Sequence, residues 1–394
     1  MATAQHAIIA GGGIGGLAAA VALNQAGIRT TVYERAEELR VGGAGLHLWT
    51  NAMLALESLG LTEGVRRTAP VQQFCEFRTW RGGLLASWPV GEFADRFGQP
   101  TVAVARSALH EVLRDGLTDT KIHTGLPLTG FDQDDEGVTA RFADGSTDRA
   151  DLLIGADGVG SAVRAQLLGN SPPRYAGCVA WRGIAELGPE AIPAGSFRSI
   201  FGRGTRFVYY DIAPRRVHWM SVENGPAGGA DDPGVLETIA RRHLGWADPV
   251  QRIIAATDES TVIRTDIVDR APDATWGQGR VTLLGDAAHP MSFNVGQGAC
   301  QAIEDAVILA ERLRADATVP AALTAYEDER KPRTASMQKA AHLLGKLGSW
   351  SNPLAVGARQ LLMRAGWEKG AFKAIEADAR YGTRWAPAAR TPAV

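Results

Sequence analysis

Three short apolar runs, each closing on a glycine, mark out this chain: Ala7 to Ala10 before Gly11, Leu152 to Ile154 before Gly155, and Val281 to Leu284 before Gly285. Runs of this length, apolar but for Thr282 in the third, predict strands buried on both faces. After the first, Leu17, Ala20, Val21 and Asn24 follow helical spacing, Gly27 stops the helix, and Arg29 to Tyr33 predicts a second strand. After the third, Gly296-Gln297-Gly298 opens a long helix that places Ala299, Ala302, Ile303, Ala306, Val307, Ala310 and Leu313 on one face. Between the second and third runs the texture changes. Gly177–Glu186, Phe197–Phe201, Arg206–Ile212 and Val217–Val222 are strand-like, and turn signals at Gly202–Thr205 and Ala213–Arg216 separate the last three. They predict an inserted antiparallel sheet. Asp144-Gly145 predicts a hairpin turn leading into the second apolar run. Ala321 to Gly366 reads as helical, and Pro387 to Val394 as a loose tail.

Composition narrows the class. A chain of 394 residues with 45% hydrophobic and 21% charged residues buries a sizeable core, and a net charge of -2 provides no basic field for nucleic acid or anionic lipid. Cys75, Cys178 and Cys300 lie far apart without metal-ligand spacing, which fits a reducing, cytoplasmic setting. The opening stretch lacks a basic residue before its apolar run, against a signal peptide. Its five glycines and short length speak against a membrane span.

Gly11, Gly13 and Gly16 form GxGxxG between a strand and a helix, and Glu34 ends the next strand 23 residues after Gly11. In a dinucleotide-binding turn Gly11 permits the tight bend, Gly13 lets backbone approach a pyrophosphate, and Gly16 lets helix and strand pack closely. The helix N-terminus offers unpaired N–H groups to the phosphates, and Glu34 accepts from ribose hydroxyls. This motif alone does not separate NAD from FAD.

Two later motifs do. "ADG" at Ala156–Gly158 with Arg164, and "GDAAHP" at Gly285–Pro290 with "GQG" at Gly296–Gly298, stand in this order behind the first fingerprint. Together they resemble the single-component FAD-dependent aromatic hydroxylases, the group A flavoprotein monooxygenases, near the salicylate hydroxylase-like and urate hydroxylase-like branch. "GGAGL" at Gly42–Leu46 and "RSALHEVL" at Arg106–Leu113 agree with it. The resemblance implies a Rossmann-like α/β fold of the GR2 type with an inserted antiparallel substrate sheet and C-terminal helices. The expected divisions are 1–171 (FAD-binding, with some substrate-domain strands around 70–105), 172–270 (substrate sheet) and 271–394 (third motif and C-terminal helices). It implies FAD contacts from Gly11, Gly13, Ile14, Gly15, Gly16, Glu34 and Arg35. Further contacts are implied from Gly45, Leu46, Arg106 and Asp157, and from Asp286, Pro290, Gly296, Gln297, Gly298 and Ala299. The second motif would face both the FAD pyrophosphate and the incoming nicotinamide. No metal is implied.

The implied activity uses NAD(P)H and O2 to hydroxylate a small aromatic molecule through a flavin C4a-hydroperoxide, with a dry pocket and oriented charges supplied by the protein. Arg206 stands where relatives place a substrate-binding arginine, and a guanidinium pairs well with a carboxylate or phenolate. A solvated strand arginine is the alternative. Arg206, Val208 and Tyr210 share one strand face and Phe207 and Tyr209 the other, without a sign of which face meets the cofactor. His218 is a candidate for polarising a phenol. His289 reads as part of a tight turn and not as a catalytic base, and Cys300 as a small packed residue. The chain departs from the family's pattern at Thr50, Phe293 and Cys300. An FAD oxidase or dehydrogenase, or an FAD-binding protein without turnover, remain open; no WxWxIP segment supports a halogenase. The nicotinamide preference, the substrate and the oligomeric state are not readable.

Overall fold

Ala7–Ala10 offer no polar side chain to water, and they form the buried middle of a five-stranded parallel sheet in the computed structural model, which describes residues 3–39, 44–188, 190–229 and 234–386. β1 (His6–Ala10) lies between β2 (Arg29–Tyr33) and β11 (Leu152–Gly155), with β7 (Thr120–His123) and β17 (Val281–Leu283) at the edges. Helix α1 (Ile14–Gln25) is buried from Leu17 to Leu23, and it packs against α9 (Gly298–Ala315). Gly27, at φ 81°, ends the α1 turn in the left-handed conformation that glycine adopts freely.

A second, seven-stranded sheet runs in the order β16 (Ile263–Asp269), β12 (Arg174–Glu186), β15 (Arg216–Asn224), β14 (Thr205–Ala213), β13 (Ser196–Phe201), β4 (Phe74–Thr79) and β5 (Leu84–Trp88). It is not wholly antiparallel, as the sequence predicts: β13 and β4 pair in parallel. The hairpin to β14 uses one edge of β13, and the chain that reaches the other edge comes from far upstream. Its outer face, with Phe207, Tyr209 and Trp219, packs under α7 (Val235–Arg242) and α8 (Val250–Ala255). Trp219 Nε1 donates to Thr257 Oγ1 at 2.8 Å, which satisfies its buried indole.

Two smaller sheets link these layers. β3 (Gly45–Leu48) pairs antiparallel with β6 (Val102–Ala105). β8 (Leu128–Gln133), β9 (Val138–Phe142) and β10 (Thr147–Ala150) form a three-stranded meander, with the turn at Asp144-Gly145. The remaining helices are α2 (Thr50–Ser58), α3 (Thr62–Arg66), α4 (Phe93–Phe97), α5 (Arg106–Asp115), α6 (Ala162–Leu168), α10 (Val319–Gly348), α11 (Pro353–Leu362) and α12 (Glu368–Gly382). The helical C-terminal stretch thus begins at Val319 and continues past Gly366 to Gly382. It breaks at Asn352, which caps α11, and kinks at Gly366 (φ 147°). Pro387–Val394, expected as a tail, and Gly42 and Gly43 lie outside the described residues. Among the described residues no helix is long and apolar enough to cross a membrane.

Helix α9 differs from the single apolar face its spacing predicts. Gln301, Glu304 and Asp305, on its other side, are also fully buried. Burying two carboxylates requires partners, and these come from α10.

Candidate active site

Parallel register brings the motifs to one edge. Ala10 lies opposite Tyr33 and Gly155, and Gly155 opposite Leu283, so β1, β2, β11 and β17 end together. Gly11, Glu34, Asp157 and Asp286 follow these ends, in the crevice outside the carboxyl ends of the strands where open α/β sheets bind ligands. They open onto a cavity of about 1420 Å³, well above the roughly 300–1,000 Å³ of an ordinary small-molecule pocket. Gly13, Ile14 and Gly15 line it, as do Arg35, Gly45, Leu46 and Arg106, and Gly296, Gln297, Gly298 and Ala299.

Two helices present bare N-termini to this cavity. α1 begins after Gly13 and α9 after Gln297; neither start has a side-chain cap or an acidic residue in its first turn. Unpaired N–H groups and a positive dipole end suit a ligand phosphate or an anionic ring edge. A Cβ on Gly13 would meet nothing within 4 Å, whereas one on Gly11 would stand 2.4 Å from the Ala156 carbonyl oxygen. Gly13 is therefore the ligand-approach position and Gly11, at φ 107°, the turn. Gly16 does not line the cavity: its Cβ would lie 1.9 Å from Gly11 O, so its role is backbone packing. Pro290 also faces away, its carbonyl accepting from the Arg270 N–H at 3.3 Å.

The carboxylates are set for hydroxyl donors. Glu34 takes the Gly12 N–H at 2.8 Å on one oxygen and the Ala36 N–H at 2.9 Å on the other, leaving lone pairs free toward the cavity. Asp157 caps α6 through the Ala162 N–H at 2.7 Å, while its second oxygen is buried without a partner. Asp286 is exposed and lines the cavity. Protein surrounds it otherwise, and this desolvation raises its pKa against the opposing charges of His289 and Arg106. Orphaned acceptors beside two bare helix starts are a fit for a sugar-bearing dinucleotide. Arg164, a candidate from the second motif, does not line the cavity. It pairs with Asp273 and donates to Ala287 O at 3.2 Å, fastening α6 to the turn that carries Asp286.

Behind that turn lies a network the sequence reading missed. His289 Nε2 lies 2.6 Å from Asp305 Oδ2, which also accepts the Gly285 N–H at 3.0 Å. Arg330, fully buried, binds Asp305 at 2.7 Å, Glu304 at 2.6 Å and Gln301 at 2.6 Å. Arg333 grips both oxygens of Glu304 at 2.8 Å and reaches Asp378 at 3.0 Å. Burial alone would raise the Glu304 and Asp305 carboxyls, but these cations outweigh it and hold both below their ordinary values. The readable signal was the Glu-Asp pair inside the otherwise apolar stretch Ala302–Ala310, with Arg330 and Arg333 spaced to meet it. His289 is thus an anchor of the turn.

Asp378 titrates differently. Burial pushes it from 3.8 to about 6 despite Arg333. A carboxyl raised in the folded state binds its proton more tightly there than in the unfolded chain, so its contribution falls as pH rises from about 4 to about 6 and is level above. Asp378→Asn is expected to remove that decline from urea-unfolding stabilities measured between pH 4 and pH 7; an unchanged slope would show that Asp378 titrates normally.

The seven-stranded sheet supplies the opposite wall. Arg206, Val208 and Tyr210 face the cavity and Phe207 and Tyr209 the outer core, which settles the strand's orientation. Arg206 is 3% exposed. One guanidinium nitrogen donates to Asn294 Oδ1, another is buried without a partner, and the group lies 5.2 Å from the Phe293 ring centre. Burial lowers its pKa to about 10, so it stays cationic at neutral pH. His218 Nδ1 is likewise unpartnered, and burial together with Arg182 lowers its pKa to about 3. His47 on β3, which the sequence reading did not single out, has both ring nitrogens buried and unpartnered, and burial brings it to about 3. Phe197 and Tyr210 stand beside it, at ring distances of 5.2 and 6.0 Å. Cys300 is buried against His47 O and Gly296 O, its thiol pushed up to about 12, which excludes a thiolate at neutral pH.

A crevice with two bare helix starts and carboxylates with free acceptors, opening onto an aromatic chamber, suits a dinucleotide cofactor beside a small-molecule site. A family model for the FAD binding domain matches residues 4–179 and 249–341. Aurachin C monooxygenase/isomerase of Stigmatella aurantiaca is 40% identical, covering 92% of this chain and 95% of that protein. FAD-dependent urate hydroxylase of Klebsiella pneumoniae is 36% identical, covering 83% and 86%. The crystal structure of Klebsiella pneumoniae HpxO complexed with FAD and uric acid superimposes with a TM-score of 0.86 at 32% identity, covering 97% of each chain. A salicylate hydroxylase substrate complex shares the fold, with a TM-score of 0.79 at 23% identity over 100% of this chain and 99% of that one. The chain belongs to the FAD-binding group A flavoprotein monooxygenases, and FAD is its cofactor.

Proposed function

We propose that this monooxygenase uses NAD(P)H and O2 to hydroxylate an aromatic or heteroaromatic small molecule, in the cytoplasm, without a nucleic-acid partner or membrane insertion. The carrying observation is the chamber around Arg206: unpartnered donors and acceptors on Arg206, His218 and His47, set among Phe197, Tyr210 and Phe293 and continuous with the strand-end crevice. Bound FAD supplies the redox chemistry and the oxygen activation. The chain's residues bind, orient and keep water out.

In this reading the two bare helix starts at Gly13 and Gly298 meet the pyrophosphate and the flavin pyrimidine. Glu34 and Asp286 accept from the ribose and the ribityl chain. Arg106 and Gly45-Leu46 flank the ring. The FAD-binding part comprises 1–171, apart from the substrate-sheet strands β4 and β5 within 70–105, and 271–394, with 172–270 as the rest of the substrate sheet. Arg206 holds an anionic or carbonyl oxygen of the substrate, and neutral His218 orients a hydroxyl. Acid–base work by His218 near neutral pH is disfavoured by its burial.

The deciding experiment follows NADH and NADPH oxidation with O2 across phenols, aromatic acids, pyridines and purines. A compound that accelerates oxidation and gains one oxygen carries the reading. Oxidation that yields only hydrogen peroxide with every compound favours an oxidase, and bound FAD without turnover favours a binding protein. Arg206→Met is expected to raise the substrate KM at least about tenfold, the scale of one lost charge-assisted hydrogen bond, with FAD retained. An unchanged KM would remove Arg206 from the substrate site.

A further inference from the structure

The cavity does not end at Arg206. It continues between α10 and α12, where Met337, Ala340, Leu343 and Leu344 face Ala371 and Ala374. Along α10 the lining runs from Pro332 to Leu344 and along α12 from Gly370 to Tyr381, a length of roughly 16–18 Å at the helical rise. Arg333 and Asp378 bridge the helices at one end, and Arg333 also stacks 4.0 Å over the Tyr381 ring. Beyond that bridge the walls are small or apolar, and α12 offers alanine or glycine at 370, 371, 374 and 377.

The polar groups divide unevenly. Apart from Asp157 in the strand-end crevice, the unpartnered buried atoms of the cavity lie at its seven-stranded-sheet end, on His47, Arg182, Arg206 and His218. In the α10–α12 arm Arg333, Asp378 and Tyr381 are already paired, with Tyr381 donating to Glu329 at 3.1 Å. A polar ring therefore has buried partners at the sheet end, and the arm offers mainly apolar surface, with Ser336 a polar side chain on its α10 wall. Leu343 at the arm's open side, and Leu361 and Leu362 shortly before the lining Trp367, are exposed large apolar residues.

We propose that the substrate carries a long apolar chain that lies between α10 and α12 while its aromatic head sits at Arg206. The inference rests on the monooxygenase reading and narrows its substrate class. The small residues on α12 keep the groove open, Met337 and Leu344 form its floor, and the distal end of the chain emerges beside Leu343.

The test uses the FAD-loaded full chain and a series of 4-alkylphenols, from methyl through butyl and octyl to dodecyl, held below their aggregation limits. Binding is read from the perturbation of flavin absorbance and by calorimetry. Dissociation constants are expected to fall up to about fourfold per methylene until the groove fills. Ala374→Trp, and independently Ala340→Trp from the facing helix, are expected to flatten that slope while flavin absorbance confirms a loaded, folded protein. Affinity independent of chain length, or a slope unchanged in both variants, overturns the proposal, as does no binding of dodecylphenol. Tail-length dependence that appears only after truncation behind Ala386 also overturns it and assigns the groove to the chain's own C-terminus. Failure of the underlying reading looks different: ligands bind, yet no aromatic compound is oxygenated.

Discussion

Arg330→Met is expected to lower the unfolding free energy by about 3–5 kcal/mol, the range for removing one partner of a buried ion pair. Arg330 is enclosed, and its three donors meet Asp305, Glu304 and Gln301. Methionine fills much of the volume but leaves carboxylates inside the protein without their main counter-charge. Glu304 retains Arg333 and Asn51; Asp305 retains only His289 and the Gly285 N–H. The turn that carries Asp286 should loosen as Asp305 picks up a proton or admits water. FAD release should accompany the stability loss. Arg330→Lys keeps a charge without the fork, and an intermediate effect is expected. Urea unfolding and flavin fluorescence on the same samples check both parts. A midpoint equal to the parent's would show that the network contributes little.

The second large effect concerns FAD itself. Asp286→Ala is expected to weaken FAD binding by about 10–100-fold, the worth of a hydrogen bond to a charged acceptor. The carboxylate is fixed just beyond β17, and an ideal Cβ on Gly298 would lie 3.9 Å from it, so it sits beside the α9 N-terminus. That dipole favours the anion, while desolvation opposes it and raises the pKa. Asp286→Asn keeps the shape and one acceptor, and should retain FAD better than the alanine variant. Equilibrium dialysis of FAD against each protein decides the matter. Unchanged occupancy in Asp286→Ala would refute the assigned role.

The cofactor half was legible because its signals are local. Gly11, Gly13 and Glu34 sit at fixed offsets from apolar runs, and parallel register carries them to one edge. The outer and inner faces of β14 were also readable as alternates, but their orientation was not, since it depends on α7 and α8 covering Phe207 and Tyr209. The parallel β13–β4 pair was hidden because its partners are separated by more than a hundred residues. Pro290 and Gly16 belong to the right motifs, yet one faces α10 and the other a neighbouring turn. The buried Arg330 network escaped because long-range ion pairs leave only unremarkable charges in the sequence. His47 escaped because nothing local distinguishes a histidine whose two nitrogens will both lose water.

The alternation along β14 has a further consequence for how such a protein changes over generations. Arg206, Val208 and Tyr210 meet the chamber, while their immediate neighbours Phe207 and Tyr209 hold the sheet to its helices. Under the proposed function, substitutions at Arg206, Val208 and Tyr210 act on what the enzyme accepts, and because Val208 and Tyr210 also pack in a buried cluster with Ala103, Ile212 and Val222, they draw on the fold's stability as well. The flavin crevice, built from segments before and after the sheet, is left untouched. Selection for a new compound and selection for a durable fold thus act on interleaved sets of codons that overlap where a cavity-facing side chain is also packed, as at Val208 and Tyr210.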